Sequence, residues 1–211
     1  MVKLLSVVLL VSLGAPGAPE AAERAWIDIT VRVYDGASMA PTDKARALAV
    51  ATAVLAPAEL NVHFVHCAAA STESSCNEAL GPDELALRLV RNSSPRIHSA
   101  APLALGEALL DVRRRVGTLA TIYVDRVHGL ARESQADAVV LLGRAIAHEL
   151  VHLLSGQGTH TPHGLMRAVW SAQEIAHNRA GDWVLRDSET AALRGRDGRR
   201  SWERTRMVRA R

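Results

Sequence analysis

Between Trp26 and Tyr34 the chain alternates, with Ile27, Ile29, Val31 and Val33 on one face of an extended segment and Asp28, Thr30 and Arg32 on the other. That period of two predicts a half-buried first strand. From Thr42 or Asp43, either of which suits an N-cap, an Ala/Leu/Val-rich segment runs to about Ala56 and stops at Pro57, which predicts a helix. Asn61 to His66 is a short apolar strand, and Glu84 to Arg91 is another, with Leu85, Leu87 and Leu89 at every second position. Residues 103–116 combine a glycine with the run Arg113 to Arg115, so they read either as an irregular edge strand or as a loop. Thr118 to Asp125, β-branched and aromatic and bounded by Gly117, predicts a further strand. A long apolar helix then runs from about Ser134 to Leu154, with apolar residues in nearly every direction, so it should be buried on most sides. Gly156 and Gly158 end it. After Trp170 the pattern weakens to one helix over about Ala172 to Leu185 and a second short one before Arg194. One helix crossing between the first two strands, further strands and then a buried helix predict an α/β (α+β) domain with a single mixed, twisted sheet.

The 211 residues suffice to bury a core without help from metals or several disulfides, so a bound metal is expected to serve chemistry before stability. The start of the chain has a different pattern: Met1-Val2-Lys3, an apolar run from Leu4 to Leu13, then a small-residue stretch through Ala22. This is the order of a secretory signal peptide, and the apolar run is only about half of the ~20 residues that cross a bilayer. Residues 1–22 are therefore read as an export signal, with no stable membrane span, and residues 23–193 as one catalytic domain. In an exported, oxidising compartment Cys67 and Cys76 are expected to pair across their short Ser/Ala-rich loop.

The formal net charge of +3 does not point to nucleic acid, because it is concentrated at one end. Residues 194–211 hold eight arginines against Asp197 and Glu203, a net +6, which leaves −3 on residues 1–193. Such an end reads as a solvated, disordered basic tail, and no nucleic-acid partner is expected.

The chemistry lies in the long helix, at His148-Glu149-Leu150-Val151-His152. Positions four apart on a helix are neighbours on one face, so His148 and His152 can point at a single metal ion. Glu149 sits roughly 100° around the axis, where its carboxylate can reach a metal-activated water without binding the metal. Two histidines and a glutamate are costly inside so apolar a helix unless something compensates them, and a zinc ion would do so. Catalytic zinc usually takes three protein ligands and a water, and the stretch Thr159 to Met166 offers His160 and His163, with Glu174 further on. Met166 fits either an apolar floor under the metal or ordinary core packing. His63 and His66, at i, i+3 on a strand, face opposite sides and are not read as ligands.

The run His148 to Gly156, then His160, then Gly164-Leu165-Met166, resembles the metzincin clan of zinc peptidases, with its HExxHxxGxxH signature and methionine turn. It is more closely similar to exported bacterial proteins of unassigned function with a HELGHLLLG, H-S, G-I-M-R-A-x-W pattern, whose ending Arg167, Ala168 and Trp170 match. The resemblance covers residues 147–170 and implies a zincin-like fold, with Glu149 as general base, His148, His152 and His160 as Zn2+ ligands and Met166 as the turn residue. Ser155 stands where that signature has glycine, and His160 falls two residues later than its third histidine. The expected function is a secreted zinc metallopeptidase acting on a peptide or protein substrate. The alternative is a non-catalytic exported zinc-binding or scaffold protein. Oligomeric state, substrate and cleavage preference are not readable in the sequence.

Overall fold

The computed structural model describes residues 26–68, 76–91 and 104–194. In chain order the elements are β1 (Ile27–Asp35), α1 (Pro41–Leu55), β2 (Leu60–Cys67), β3 (Glu84–Val90), β4 (Gly106–Asp111), β5 (Val116–Tyr123), α2 (Val124–Glu133), α3 (Ala138–Ser155) and α4 (Ala172–His177). A last helix, α5, covers 187–194. The strands form one five-stranded mixed sheet in the order β2-β1-β3-β5-β4. β1, β2, β3 and β5 are parallel, and β4 lies antiparallel to β5 at one edge.

The alternation read in β1 packs as expected: Ile29, Val31 and Val33 are buried with Leu85, Leu87 and Leu89 of β3 and Ile122 of β5. The core lies between this sheet face and the two helices α1 and α3. Those helices approach closely because Gly143 of α3 has no side chain; a Cβ there would stand 2.5 Å from the carbonyl oxygen of Ala47. On the other face Arg32 is buried, pairs with Glu84 and donates to the carbonyl of Glu78 at 2.7 Å. It thereby ties the 76–84 segment to the sheet. That segment begins at the Cys67–Cys76 disulfide, with Cα atoms 5.5 Å apart, at the end of the β2 edge strand.

Several boundaries differ from the sequence reading, and α3 starts at Ala138 and not at about Ser134, because Asp137 caps it there. α1 starts at Pro41, with Ala40 at the N-cap and no side-chain cap, because proline at the first helical position needs no amide partner. The 103–116 stretch resolves into strand β4 and a tight connection to β5, with a register shift between Leu109 and Leu110. β5 ends at Tyr123, and α2, which the sequence reading missed, starts at once. Its Val124, Val127 and Ala131 are buried at helical spacing, but Gly129 and the absence of a capping side chain hid the pattern. The segment read as one helix over 172–185 is α4, stopped by Asn178 in the left-handed region at φ 47°, followed by a single 3-10 turn at Ala180–Trp183. The proposed signal segment 1–22 and residues 195–211 of the basic tail lie outside the described residues. Arg194, the last described residue of α5, pairs with Glu59 at 3.0 Å.

Candidate metal centre

α3 is anchored at both ends. Asp137 caps its start by accepting from the Val139 and Val140 amides at 2.8 and 3.2 Å, and Arg46 of α1 holds the same carboxylate at 2.8 Å. At the other end Gly156, at φ 62°, donates to the carbonyl of His152 at 2.9 Å. This left-handed cap turns the chain back toward the helix it has just left. The Nε2 atoms of His148 and His152, one turn apart, lie 3.1 Å from each other, and the Nε2 of His160, carried on the loop after the turn, lies 3.2 Å from that of His152. Among the described residues these three histidines form a group whose ligand atoms all lie within 4.8 Å of one another.

The tautomers follow from the outer partners. His148 Nδ1 donates to the carbonyl of Leu165 at 2.9 Å, and His152 Nδ1 donates to the carbonyl of Gln157 at 2.7 Å. A carbonyl only accepts, so both protons sit on Nδ1 and both Nε2 lone pairs face inward. Two lone pairs 3.1 Å apart repel unless a cation lies between them. A proton is a poor candidate, because burial drives the His148 pKa down to about 3 and also lowers that of His152. A dication suits the arrangement: Zn–N bonds of about 2.0–2.1 Å in a tetrahedral site place the nitrogens about 3.3 Å apart. The donor set fits zinc.

Glu149 is 8% exposed. Burial, reinforced by the nearby Glu107 carboxylate, pushes its pKa up to about 8. Its side chain lies under β4, where a Cβ on Gly106 would stand 2.8 Å from Glu149 Cγ and 2.9 Å from Oε1, so only glycine lets the edge strand pass this close. Glu149, the three histidines, Leu105, Gly106 to Ala108 of β4 and Trp170 line one cavity of about 850 Å³.

The other sequence candidates have different surroundings. His163 is exposed, and its carbonyl accepts from Thr161 Oγ1 at 2.9 Å. Glu174 is held by Ser171 in a capping box and pairs with Arg167. Met166 is buried in the core, and its carbonyl accepts from the Thr161 amide at 2.8 Å, closing the turn that brings the Leu165 carbonyl to His148. The exposed His63 lies 3.4 Å from Asp28 on the sheet surface, apart from the histidine group. Sequence reasoning missed the Leu165 and Gln157 carbonyls, for which side-chain identity carries no signal, and the roles of Gly106 and Glu107. Trp170, noted only as part of a pattern, donates its indole N–H to the same Leu165 carbonyl at 3.2 Å and meets the His148 ring edge-on at 5.7 Å.

No family model matches the chain, and no curated protein matches it. Among solved structures it is similar to archaemetzincin from Methanopyrus kandleri, with 18% identity and a TM-score of 0.47 over 79% of this chain and 94% of that one. It is also similar to metalloproteinase-II from Bacteroides fragilis, with 11% identity and a TM-score of 0.49 over 81% of this chain and 54% of that one. Likeness this distant assigns no residue a role, and the chemistry rests on the geometry of the site.

Proposed function

We propose that this chain is a zinc-dependent peptidase with His148, His152 and His160 as the metal ligands and Glu149 as the general base. The observation that carries the reading is the convergence of three imidazole Nε2 atoms beside a buried carboxylate in a cavity open to an edge strand. Zinc held by these nitrogens supplies Lewis acidity, lowering the pKa of a water toward ~7 and polarising a carbonyl. Glu149 takes the water proton and hands it to the leaving amine. The Leu165 and Gln157 carbonyls keep both helix imidazoles in the tautomer that leaves Nε2 free. β4 pairs with β5 on one side and ends the sheet on the other, so an extended peptide can add to its free edge above Glu149.

Export belongs to the same reading and is supported by the Cys67–Cys76 disulfide, since such bonds persist in oxidising compartments. The proposed organisation is a signal segment at 1–22, a zincin-like domain over 23–193 and a basic tail.

The test is metal analysis and peptide-library cleavage of the purified protein beside Glu149→Gln. The expected outcome is one zinc in both proteins and a loss of about 10²–10⁴ in turnover for the variant. Wild-type protein that holds zinc and cuts nothing would support the alternative of a non-catalytic zinc-binding protein. Chelator-sensitive activity surviving in Glu149→Gln would overturn the assigned base.

A further inference from the structure

Helix α5 is anchored to the core and reaches the metal centre with its first turn. Leu193 is buried, and Arg194 pairs with Glu59 at 3.0 Å. At the start of the helix the half-buried Glu189 uses both oxygens of its carboxylate. Oε2 accepts from the Arg186 amide at 2.7 Å, which is one half of a capping box. Oε1 reaches back 28 residues and accepts from the Thr161 hydroxyl at 2.9 Å. That hydroxyl has one proton and a second acceptor at 2.9 Å, the His163 carbonyl; the carboxylate is the stronger of the two.

Thr161 directly follows His160. Its amide donates to the Met166 carbonyl at 2.8 Å and its hydroxyl to Glu189, so both the backbone and the side chain of this residue are tied. The segment leading into α5 runs along the same turn. The Val184 carbonyl accepts from the Leu165 amide at 3.0 Å, and a Cβ on Gly164, at φ 80°, would stand 2.7 Å from that oxygen. Capping α5 needs only the bond from Glu189 to the Arg186 amide. The second oxygen does nothing for the helix; it holds the residue next to an exposed imidazole.

We infer that Glu189 is a positioning residue for the third metal ligand. Through Thr161 it fixes the chain at the residue after His160, so α5 gives the loop imidazole the placement that main-chain carbonyls give the helix pair. The tie between α5 and the loop is read from geometry; its bearing on the metal rests on His160 being a ligand, as in the reading above. A ligand already in place binds the ion without the cost of ordering its loop, so loosening the tie should show in zinc affinity.

Competitive chelator titration of zinc on the full chain tests this. Thr161→Val keeps the shape of the side chain and leaves Glu189 free to cap α5, and it should weaken zinc binding about tenfold. Thr161→Ser returns the hydroxyl and should bind like wild type, and Glu189→Ala should lose at least as much as Thr161→Val. In a His160→Ala background neither Thr161→Val nor Glu189→Ala should cost further affinity, because the ligand that they position is gone. A folded Thr161→Val that binds zinc like wild type, while His160→Ala does not, overturns the inference and leaves the ligand set intact. The same loss persisting in the His160→Ala background also overturns it, since the tie then serves the fold and not the ligand. Wild-type affinity in His160→Ala removes His160 from the ligand set and the inference with it. The expected losses in a zinc-loaded protein that cuts no peptide support the inference and refute only the peptidase reading.

Discussion

His148 and His152 share a buried helix, and the Nδ1 of each is held by a main-chain carbonyl. His160 sits on an exposed loop, and among the described residues its Nδ1 makes no such bond, while its Nε2 faces that of His152. The same side chain thus enters one site by two routes. On the helix, geometry sets the spacing and outer hydrogen bonds set the tautomer. On the loop, position depends on Gly156 turning the chain back and on the Thr161–Met166 turn closing behind it.

The largest effects should come from breaking this contrast at the ligands. His148→Ala and His152→Ala each remove a nitrogen that an outer carbonyl orients, so each should lose more zinc affinity than His160→Ala, by about the 10–100-fold that such an outer partner is worth. Competitive chelator titration measures all three. Equal losses would mean that the loop histidine is as preorganised as the helix pair, and His163→Ala or Glu174→Ala exceeding His160→Ala would displace His160 from the ligand set.

Acid probes the helix half next. His148 ordinarily titrates at 6.5 and is held near 3 by burial, against the opposing pull of the Leu165 carbonyl. A folded pKa below the unfolded one means stability that is fully present above pH 6.5 and is lost as pH falls toward 3, because the unfolded chain takes up protons that the folded site refuses. Glu149, whose pKa is raised to about 8, holds a proton in the folded state over much of this range and offsets the effect. Stability of metal-free Glu149→Gln protein against denaturant should therefore weaken over that range, and the same protons should compete zinc away from the wild type. Flat stability from pH 6.5 to 4 contradicts the buried neutral imidazole.

The loop half is most exposed at Gly156. A Cβ there would stand 2.0 Å from the carbonyl oxygen of Arg115, at a φ of 62°. Gly156→Ala should cost about 3 kcal/mol from strain and displacement together, with zinc affinity falling because His160 follows the turn. A variant with wild-type stability and zinc content would show that the turn does not place the ligand.

The smallest effect on the site is expected from the disulfide, which lies at the β2 edge of the sheet while the site lies under β4 at the other. Reducing Cys67–Cys76 opens a loop of about 10 residues and should cost roughly 2–3 kcal/mol of stability, leaving zinc affinity unchanged. Two thiols labelled by alkylation without reductant would mean the bond is absent from the purified protein, and loss of zinc on reduction would couple the two edges.

What the sequence determined by itself is whatever depends on neighbours along the chain. The i, i+4 spacing places His148 and His152 on one face and Glu149 around the axis; alternation marks β1 and β3; Gly156 marks the end of α3. These are properties of helix and strand periods, which need no tertiary information. α2 fell between the two kinds of evidence, since its buried Val124, Val127 and Ala131 have helical spacing while Gly129 and the missing cap argue locally against a helix.

Only the tertiary structure decided how the loop histidine meets the helix pair, why His163 and Glu174 stand apart, and which carbonyls orient the imidazoles. It also decided that residues 106–111 form the edge strand over Glu149, with Gly106 required by the approach. The physical reason is the same in each case. A main-chain carbonyl has no residue-specific signature, and a loop or an edge is positioned by what it packs against, which is remote in sequence.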